Sequence, residues 1–303
     1  MMLKKVSAIL LAISMTFSSG LSAKATEILS TEKQVDYFIE IANDDIAASK
    51  VDVRDPYQET YDGAWSLYEK AVEYDYVSLD DAGRYVFDER TEELADSVSE
   101  YEEFLHMFDV ANQAIELGLC GVDPVSHEIY SVPLTRDIIE RALNVGENSC
   151  EPELYSADNH GCSYPDLYLG GIVSTNYDTI RDFWDEMIQL SLKNPNIYPK
   201  AATIGFWVGK IQEGGEWDYK VKPGYKPYDK TFCCTYGENY SKQWVHRTSE
   251  FIGNYNYGYT GELLFSLSVL KKGSDAAAGD FFNPDSGDYP AITEGYNDAS
   301  DIE

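Results

Sequence analysis

Apolar residues recur at helical spacing through the first half of the chain. In residues 30–49 they fall every three or four positions, which predicts an amphipathic helix. The same spacing continues through residues 90–118 and predicts one long helix that ends at Gly118. A further helix is predicted in "PLTRDIIERAL", where Pro133 suits the first turn. The positions predicted to face the core in the first of these helices are Val35, Phe38, Ile39, Ala42 and Ile46.

The second half of the chain has two further helical patterns, followed by short extended runs. Residues 177–194 form one amphipathic pattern, and a second follows Pro199 and stops at Gly214-Gly215. Residues 216–237 contain Pro-Gly and Gly turns between short runs, which is typical of strands separated by turns. Together these patterns predict an α+β fold that is mainly helical. The positions predicted to face inward in the two helices are Ile180, Phe183, Trp184, Met187, Ile188, Ile204, Trp207, Val208 and Ile211.

The stretch "GNYNYGYTG" (253–261) is predicted to be a loop. Its three glycines allow positive φ and close backbone approach, and its two asparagines tolerate left-handed conformations. An apolar helix is predicted directly after it, over residues 261–272, with Thr260 as its cap and Gly273 as its end. Because a helix N-terminus favours negative charge, such a loop could cradle an anion or a substrate. The alternative is a tight turn before a core helix.

The N-terminus has the features of a secretory signal peptide. Basic residues, a short apolar run and small residues at 23–25 predict cleavage there and export of a soluble, secreted chain. No later stretch is long and apolar enough for a stable membrane anchor. After the signal peptide of residues 1–25, the composition predicts an acidic helical region at 26–145. A linker rich in Gly, Pro, Ser and Asn is predicted at 146–169, followed by a second domain at 170–303.

The net charge of −30 is concentrated in the first half of the chain. Residues 26–150 carry 30 acidic and 8 basic side chains, a net of −22, whereas residues 201–272 carry 7 and 9, a net of +2. The overall negative charge argues against sequence-specific binding of nucleic acid. It also argues against long-range electrostatic attraction of nucleic acid. A locally basic cleft in the second half could still hold an anionic substrate.

The chain contains five cysteines, and export would permit disulfide bonds between them. Cys150 and Cys162 flank a short segment, which a bond between them could staple. Cys233 and Cys234 are adjacent, and a bond between neighbours would strain the backbone, so a partner elsewhere is expected. Because five is odd, at least one cysteine is unpaired within a monomer. The spacing fits no common zinc pattern, and no metal site is predicted.

Three ordered motifs connect the second half to a known family. They are "GGEWDYK" (214–220), "GNYNYGYTG" (253–261) and "DSGDYPAITEGY" (285–296). The set resembles the bacterial polymorphic toxin type 44 domain, and the resemblance covers roughly residues 170–298. It implies a secreted toxin-like effector that acts on a target cell as a nuclease, an RNase in particular. It also implies an immunity protein as a partner.

The candidate site combines residues of these motifs with one pair outside them. Metal-free RNA cleavage needs a base, an acid and a cation. His246 suits acid–base work near neutral pH, and Arg247 with Lys220 could hold phosphate. No cofactor is predicted, although the aspartates named below could orient a base or bind a divalent metal. The predicted catalytic residues are Asp218, Lys220, His246 and Asp288, and the predicted substrate-binding residues are Trp217, Arg247, Asn254, Asn256, Tyr257 and Asp285.

Structural interpretations of the same residues stay open. Trp217 could belong to the core, and Asp218 with Lys220, two positions apart, could form a solvent-facing pair on a strand. Asp288 could cap a short C-terminal helix.

Two other function classes also fit the sequence. A cell-envelope glycan hydrolase could use paired carboxylates such as Asp285 with Asp288 or Glu294. A non-catalytic binding protein could retain the toxin fold. A nuclease needs basic groups at the site, whereas a glycosidase needs two carboxylates about 5 to 10 Å apart in an aromatic-lined groove. The predicted target is therefore RNA or an envelope glycan.

Overall fold

The computed structural model describes residues 32–47, 62–145, 161–277 and 287–300. Helices hold most of these residues and the strands form small sheets, which confirms the mainly helical α+β fold. The predicted signal peptide, Cys150 and Asp285 lie outside the described residues. The helices are α1 (32–47), α2 (Asp62–Glu73), α3 (Val98–Glu116), α4 (Arg136–Val145), α5 (Leu169–Ser191), α6 (Pro199–Ile211), α7 (Ser249–Gly261), α8 (Leu267–Ala277) and α9 (Tyr289–Ser300). The strands are β1 (Val77–Leu79), β2 (Tyr85–Phe87), β3 (Cys120–Val122), β4 (Ile129–Ser131), β5 (Asp166–Leu167), β6 (Thr231–Tyr236) and β7 (Lys242–Thr248).

The predicted helix over residues 90–118 is wrong at its start. A 3-10 helix occupies Glu89–Leu94, and α3 begins only after Ser97. The Ser97 hydroxyl accepts a hydrogen bond from the Glu100 N–H at 3.2 Å, so it caps a new helix at this point. The end of α3 is as predicted, because Gly118 follows the last turn with φ 77°.

The start of α4 also differs from the prediction, because Pro133 lies outside the helix. The next residue, Leu134, is held by α1 through both of its backbone groups. Its N–H donates to Asn43 Oδ1 at 2.8 Å, and its carbonyl accepts from Asn43 Nδ2 at 3.0 Å. This pairing satisfies the backbone outside a helix, so the helix starts two residues later.

The two predicted helices at the start of the second half are confirmed as α5 and α6. Pro199 opens α6 as predicted, whereas α5 begins at Leu169, inside the predicted linker. The helices pack face to face, with the rings of Phe183 and Phe206 stacked at a centroid distance of 4.2 Å. The predicted inward positions are buried, except for Trp184 and Ile211, which are partly buried and pack against the core.

A three-stranded sheet carries the disulfide. β5 pairs parallel to β6, and β6 pairs antiparallel to β7. The disulfide joins Cys162 to Cys233, so the bond between Cys150 and Cys162 that the sequence left possible does not form. The expectation that Cys233 finds a partner elsewhere in the chain is confirmed. Cys234 points to the opposite face of β6, where it is buried as a free thiol.

The predicted glycine loop is instead a buried helix, α7. Its glycines have no positive φ. Gly258 and Gly295 make room for close approach of α7 and α9, because a Cβ at either position would meet the backbone of the other helix. The predicted helix over 261–272 is wrong at both its start and its end. α8 starts at Leu267 and contains Gly273, which lies against Phe38.

One hydrophobic core runs through both halves of the chain. Phe38 of α1 contacts Trp207 of α6 edge to face at a centroid distance of 5.1 Å, and α3 packs on α5. The predicted acidic region and the predicted toxin-like domain therefore share a core, and the boundaries between them stay a prediction. Within the described ranges, no helix has the length and apolar character needed to cross a membrane.

Candidate functional site

A cleft lies between α7, the start of α9 and the turn that follows α6. Its volume is about 480 Å³ including the open mouth. α1 and α8 complete its wall through Gln34 and Ser274. Seven of the ten residues predicted from the sequence line this cleft: Trp217, Asp218, Lys220, Asn254, Asn256, Tyr257 and Asp288.

Asp218 holds the turn that forms one wall of the cleft. Its Oδ2 accepts from the Gly214 N–H at 3.0 Å and its Oδ1 from the Lys220 N–H at 3.3 Å. This segment is a turn and not a strand, so the interpretation of Asp218 and Lys220 as a strand pair is wrong. Burial raises the pKa of the Asp218 carboxyl, because the charged form loses solvation in this wall.

Trp217 and Lys220 lie on either side of Asp218 and have different surroundings. Trp217 is buried, as its core interpretation predicted, and its backbone N–H donates to the Lys210 carbonyl at 2.8 Å. The stem of Lys220 runs past Gly253, with carbons 3.3 Å from the position that a Cβ there would take. The Lys220 ammonium lies 5.8 Å from the centre of the Tyr228 ring. Gly253 thus leaves room for the lysine at the mouth of the cleft.

Asn254 and Asp288 meet across the interface of α7 and α9. Asn254 Nδ2 donates to Asp288 Oδ1 at 2.6 Å. Asp288 stands directly before α9, and its carbonyl accepts from the Ile292 N–H at 3.1 Å, which closes the first turn. The amide therefore fixes the carboxylate in the cleft, and the backbone of the same residue begins the helix.

Asn256 and Tyr257 are held rigidly at the base of the cleft. Asn256 Oδ1 accepts from Asn176 Nδ2 at 2.8 Å, and the same Asn176 amide donates to the Tyr219 hydroxyl at 2.9 Å. The Tyr257 hydroxyl donates to the Leu270 carbonyl at 2.8 Å, and burial raises the pKa of this phenol well above its usual value. These two side chains line the cleft, and Asn176 supports Asn256 from α5.

His246 and Arg247 lie on β7, outside this cleft. Arg247 Nε donates to the Tyr236 hydroxyl at 2.6 Å, and the guanidinium lies over the Phe251 ring at 4.3 Å. His246 is exposed, and its Nε2 lies 3.5 Å from Cys162 Sγ. The sequence predicted these two residues in one site with Asn254, but only Asn254, on α7, lines the cleft.

Sequence reasoning missed Asn176, Gln34 and Ser274. Asn176 had a detectable signal, because it is a polar residue on the same face of α5 as the buried Val173 and Ile180. Buried amides need hydrogen-bond partners, so a polar residue on such a face marks a paired interior site. Gln34 and Ser274 had no such signal, because only the tertiary packing of α1 and α8 brings them to the cleft.

Comparisons with known proteins identify no family. No family model, no curated protein and no solved structure matches the chain. The resemblance to the type 44 toxin domain therefore stays a prediction from the three motifs.

Among the described residues, only Cys162, Cys233 and His246 bring three potential metal ligands together, and Asp218 and Asp288 belong to no such group.

The raised pKa of Asp218 predicts how stability depends on pH. The folded state binds a proton at this carboxyl more tightly than the unfolded chain does, so stability falls as pH rises from about 3.8 through the folded pKa. We expect Asp218→Asn to remove this loss of stability. As pH rises through this range, the free energy of unfolding in urea should therefore increase for the variant relative to the wild type. Asp182→Asn, an exposed change on α5, is the matched control. A wild type that gains stability relative to Asp218→Asn as pH rises would contradict the prediction.

Proposed function

We propose that the chain is a secreted toxin-like effector whose cleft hydrolyses RNA. The observation that carries the proposal is that Asp218 and Lys220 line one cleft together with Asp288, which is distant from them along the chain. Two carboxyl groups and an ammonium are sufficient as acid, base and cation for metal-free cleavage of RNA. The motif resemblance supports RNA as the substrate, and the predicted signal peptide supports export.

Asp288 is the general base in this mechanism. Its carboxylate takes the proton of the RNA 2′-hydroxyl while the 2′-oxygen attacks the adjacent phosphorus. The hydrogen bond from Asn254, at 2.6 Å, stabilises the charged carboxylate and fixes its orientation. A base must be both ionised and positioned to act, and this contact contributes to both.

Asp218 and Lys220 complete the mechanism. Burial raises the pKa of Asp218 and so increases the fraction of carboxyl that carries a proton. That proton goes to the 5′-oxygen as its bond to phosphorus breaks. The Lys220 ammonium balances the charge that develops on the phosphorane. The products are a 2′,3′-cyclic phosphate and a 5′-hydroxyl end.

Hydrolysis of an envelope glycan is the second candidate. The observation in its favour is that Trp217 and Tyr257 line the same cleft as two carboxyl groups. Sugar rings pack on aromatic side chains, and glycosidases act through carboxyl pairs. Lys220 is also the one cationic side chain among the described residues that line the cleft. An RNase cleft would be expected to hold more than one.

Expression of the mature chain in two compartments distinguishes the candidates. The whole of residues 26–303 is needed, because α1 packs on α6 in the shared core. Expression in the bacterial cytoplasm is expected to arrest growth with decay of RNA. Purified protein should release 2′,3′-cyclic phosphate ends, also in the presence of a chelator. Intact RNA in the cytoplasm, with lysis only on export, would favour the glycan hydrolase. Cleavage that a chelator abolishes and Mg²⁺ restores would replace the metal-free mechanism.

A further inference from the structure

Cys162, Cys233 and His246 form a cluster on the three-stranded sheet, away from the cleft. The sulfur atoms of the two cysteines and one ring nitrogen of the histidine all lie within 4.8 Å of one another. Cys233 and His246 are direct cross-strand neighbours on β6 and β7. Cys162 joins them from the segment before β5, where the Cys233 N–H donates to the Pro165 carbonyl at 2.9 Å. Backbone hydrogen bonds of one sheet thus hold the three positions in place.

We infer that this cluster binds Zn²⁺ when the disulfide is reduced, with two thiolates and one imidazole as ligands. Zn–S bonds of about 2.3 Å and Zn–N bonds of about 2.1 Å in a tetrahedral site put neighbouring sulfur and nitrogen atoms about 3.6 Å apart. Cys162 Sγ and His246 Nε2 already lie 3.5 Å apart. The remaining change is separation of the two sulfurs to about 3.7 Å, which rotation of the Cys side chains can supply.

The site is accessible from solvent on one side. His246 is exposed, Cys162 is partly buried and Cys233 is buried. A metal ion can therefore reach the site without opening the core. With three protein ligands, the fourth tetrahedral position is left for water, as in zinc sites that are open to further ligands. Cys234 cannot contribute, because its side chain lies on the other face of β6.

Reduction of the disulfide and binding of the metal ion are two separate steps. A phosphine reductant and one water convert the disulfide to two thiols, with the phosphine oxidised to its oxide. Each thiol then releases a proton as its sulfur binds Zn²⁺. The oxidised chain has no thiolate at this position and binds no Zn²⁺ there. The metal site thus exists only under reducing conditions, and it is independent of the activity proposed for the cleft.

Cobalt binding to the full mature chain tests this inference, because tetrahedral Co²⁺ bound to thiolates absorbs strongly in the visible and near-ultraviolet. The phosphine-reduced chain is expected to bind one equivalent of Co²⁺ with this spectrum, and Zn²⁺ should displace it. The oxidised chain should give no such spectrum. Cys162→Ser and His246→Ala are each expected to weaken binding by roughly 100-fold. His246 is exposed, so its loss should leave the fold intact.

Two matched controls make the result specific. Cys234→Ala removes the adjacent buried thiol, and His106→Ala removes another exposed histidine; both should bind Co²⁺ as the wild type does. The inference is overturned if the reduced wild type gives no thiolate–Co²⁺ spectrum. It is equally overturned if His246→Ala binds Co²⁺ with unchanged affinity, or if Cys234→Ala loses the spectrum while Cys162→Ser keeps it. None of these outcomes depends on hydrolytic activity.

Discussion

Replacing Gly258 or Gly295 by alanine is expected to destabilise the chain by about 3 kcal/mol or more. A Cβ at Gly258 would lie 2.9 Å from the Ile292 carbonyl carbon, and closer still to its oxygen. A Cβ at Gly295 would meet the Tyr255 carbonyl in the same way, 3.0 Å from its carbon. Because these neighbours are backbone atoms, relief requires the two helices to move apart. Urea unfolding of the purified chain measures the loss.

Gly63→Ala is the matched control for this prediction. Gly63 is also helical, but its Cβ would meet only the flexible side chain of Glu100, at 3.2 Å. Alanine favours helix over glycine, so this variant should stay within about 1 kcal/mol of the wild type. The packing explanation would be wrong if Gly258→Ala and Gly63→Ala had equal effects. Separation of α7 from α9 should also weaken the contact between Asn254 and Asp288.

The same two glycines explain which part of the fold could not be predicted. Apolar periodicity identified α1 and α5, because each has one face that packs on the core, and α6 was identified although it is buried almost throughout. In α7, glycine and asparagine have low helix propensity, so the local sequence favours a loop. The segment is helical because packing against α9 outweighs that preference. The residues of α9 that contact α7 are more than thirty positions away, as Ile292 is from Gly258, and no local pattern reveals them.

The sequence predicted the part of the candidate site that the three motifs supply. Three motifs identified residues that the fold brings together in one cleft, including Asp218 and Asp288. His246 was predicted to belong to the same site as Asn254, but it lies on β7 outside the cleft, whereas Asn254 lies on α7. The sequence left the disulfide partner of Cys162 open, and the sheet brings it to Cys233, 71 residues away. Distance along the sequence is therefore a poor guide to contacts in this fold. The sheet joins Cys162 to Cys233, and α7 separates Asn254 from His246.

Replacing Asp288 by asparagine is expected to reduce RNA cleavage by about 10²- to 10⁴-fold with little loss of stability. Asparagine keeps an oxygen that can accept from Asn254, so the change removes the charge and the proton acceptor and leaves the shape. Rates of cyclic-phosphate formation by purified protein measure the effect, and urea unfolding verifies the fold. Asp182→Asn, the same change on the exposed face of α5, should keep wild-type activity.

A second change on the same pair tests whether Asp288 acts as the base. Asn254→Asp would put two carboxyl groups in contact, and like charges at this distance strongly raise the pKa at which the pair loses its second proton. The pH at which cleavage becomes active should therefore shift upward, because a base works only when it is ionised. A purely structural role for Asp288 would lower the rate equally at every pH. An unshifted pH profile in Asn254→Asp, with the chain still folded, would therefore exclude Asp288 as the base and leave Asn254 and Asp288 as a packing contact between α7 and α9.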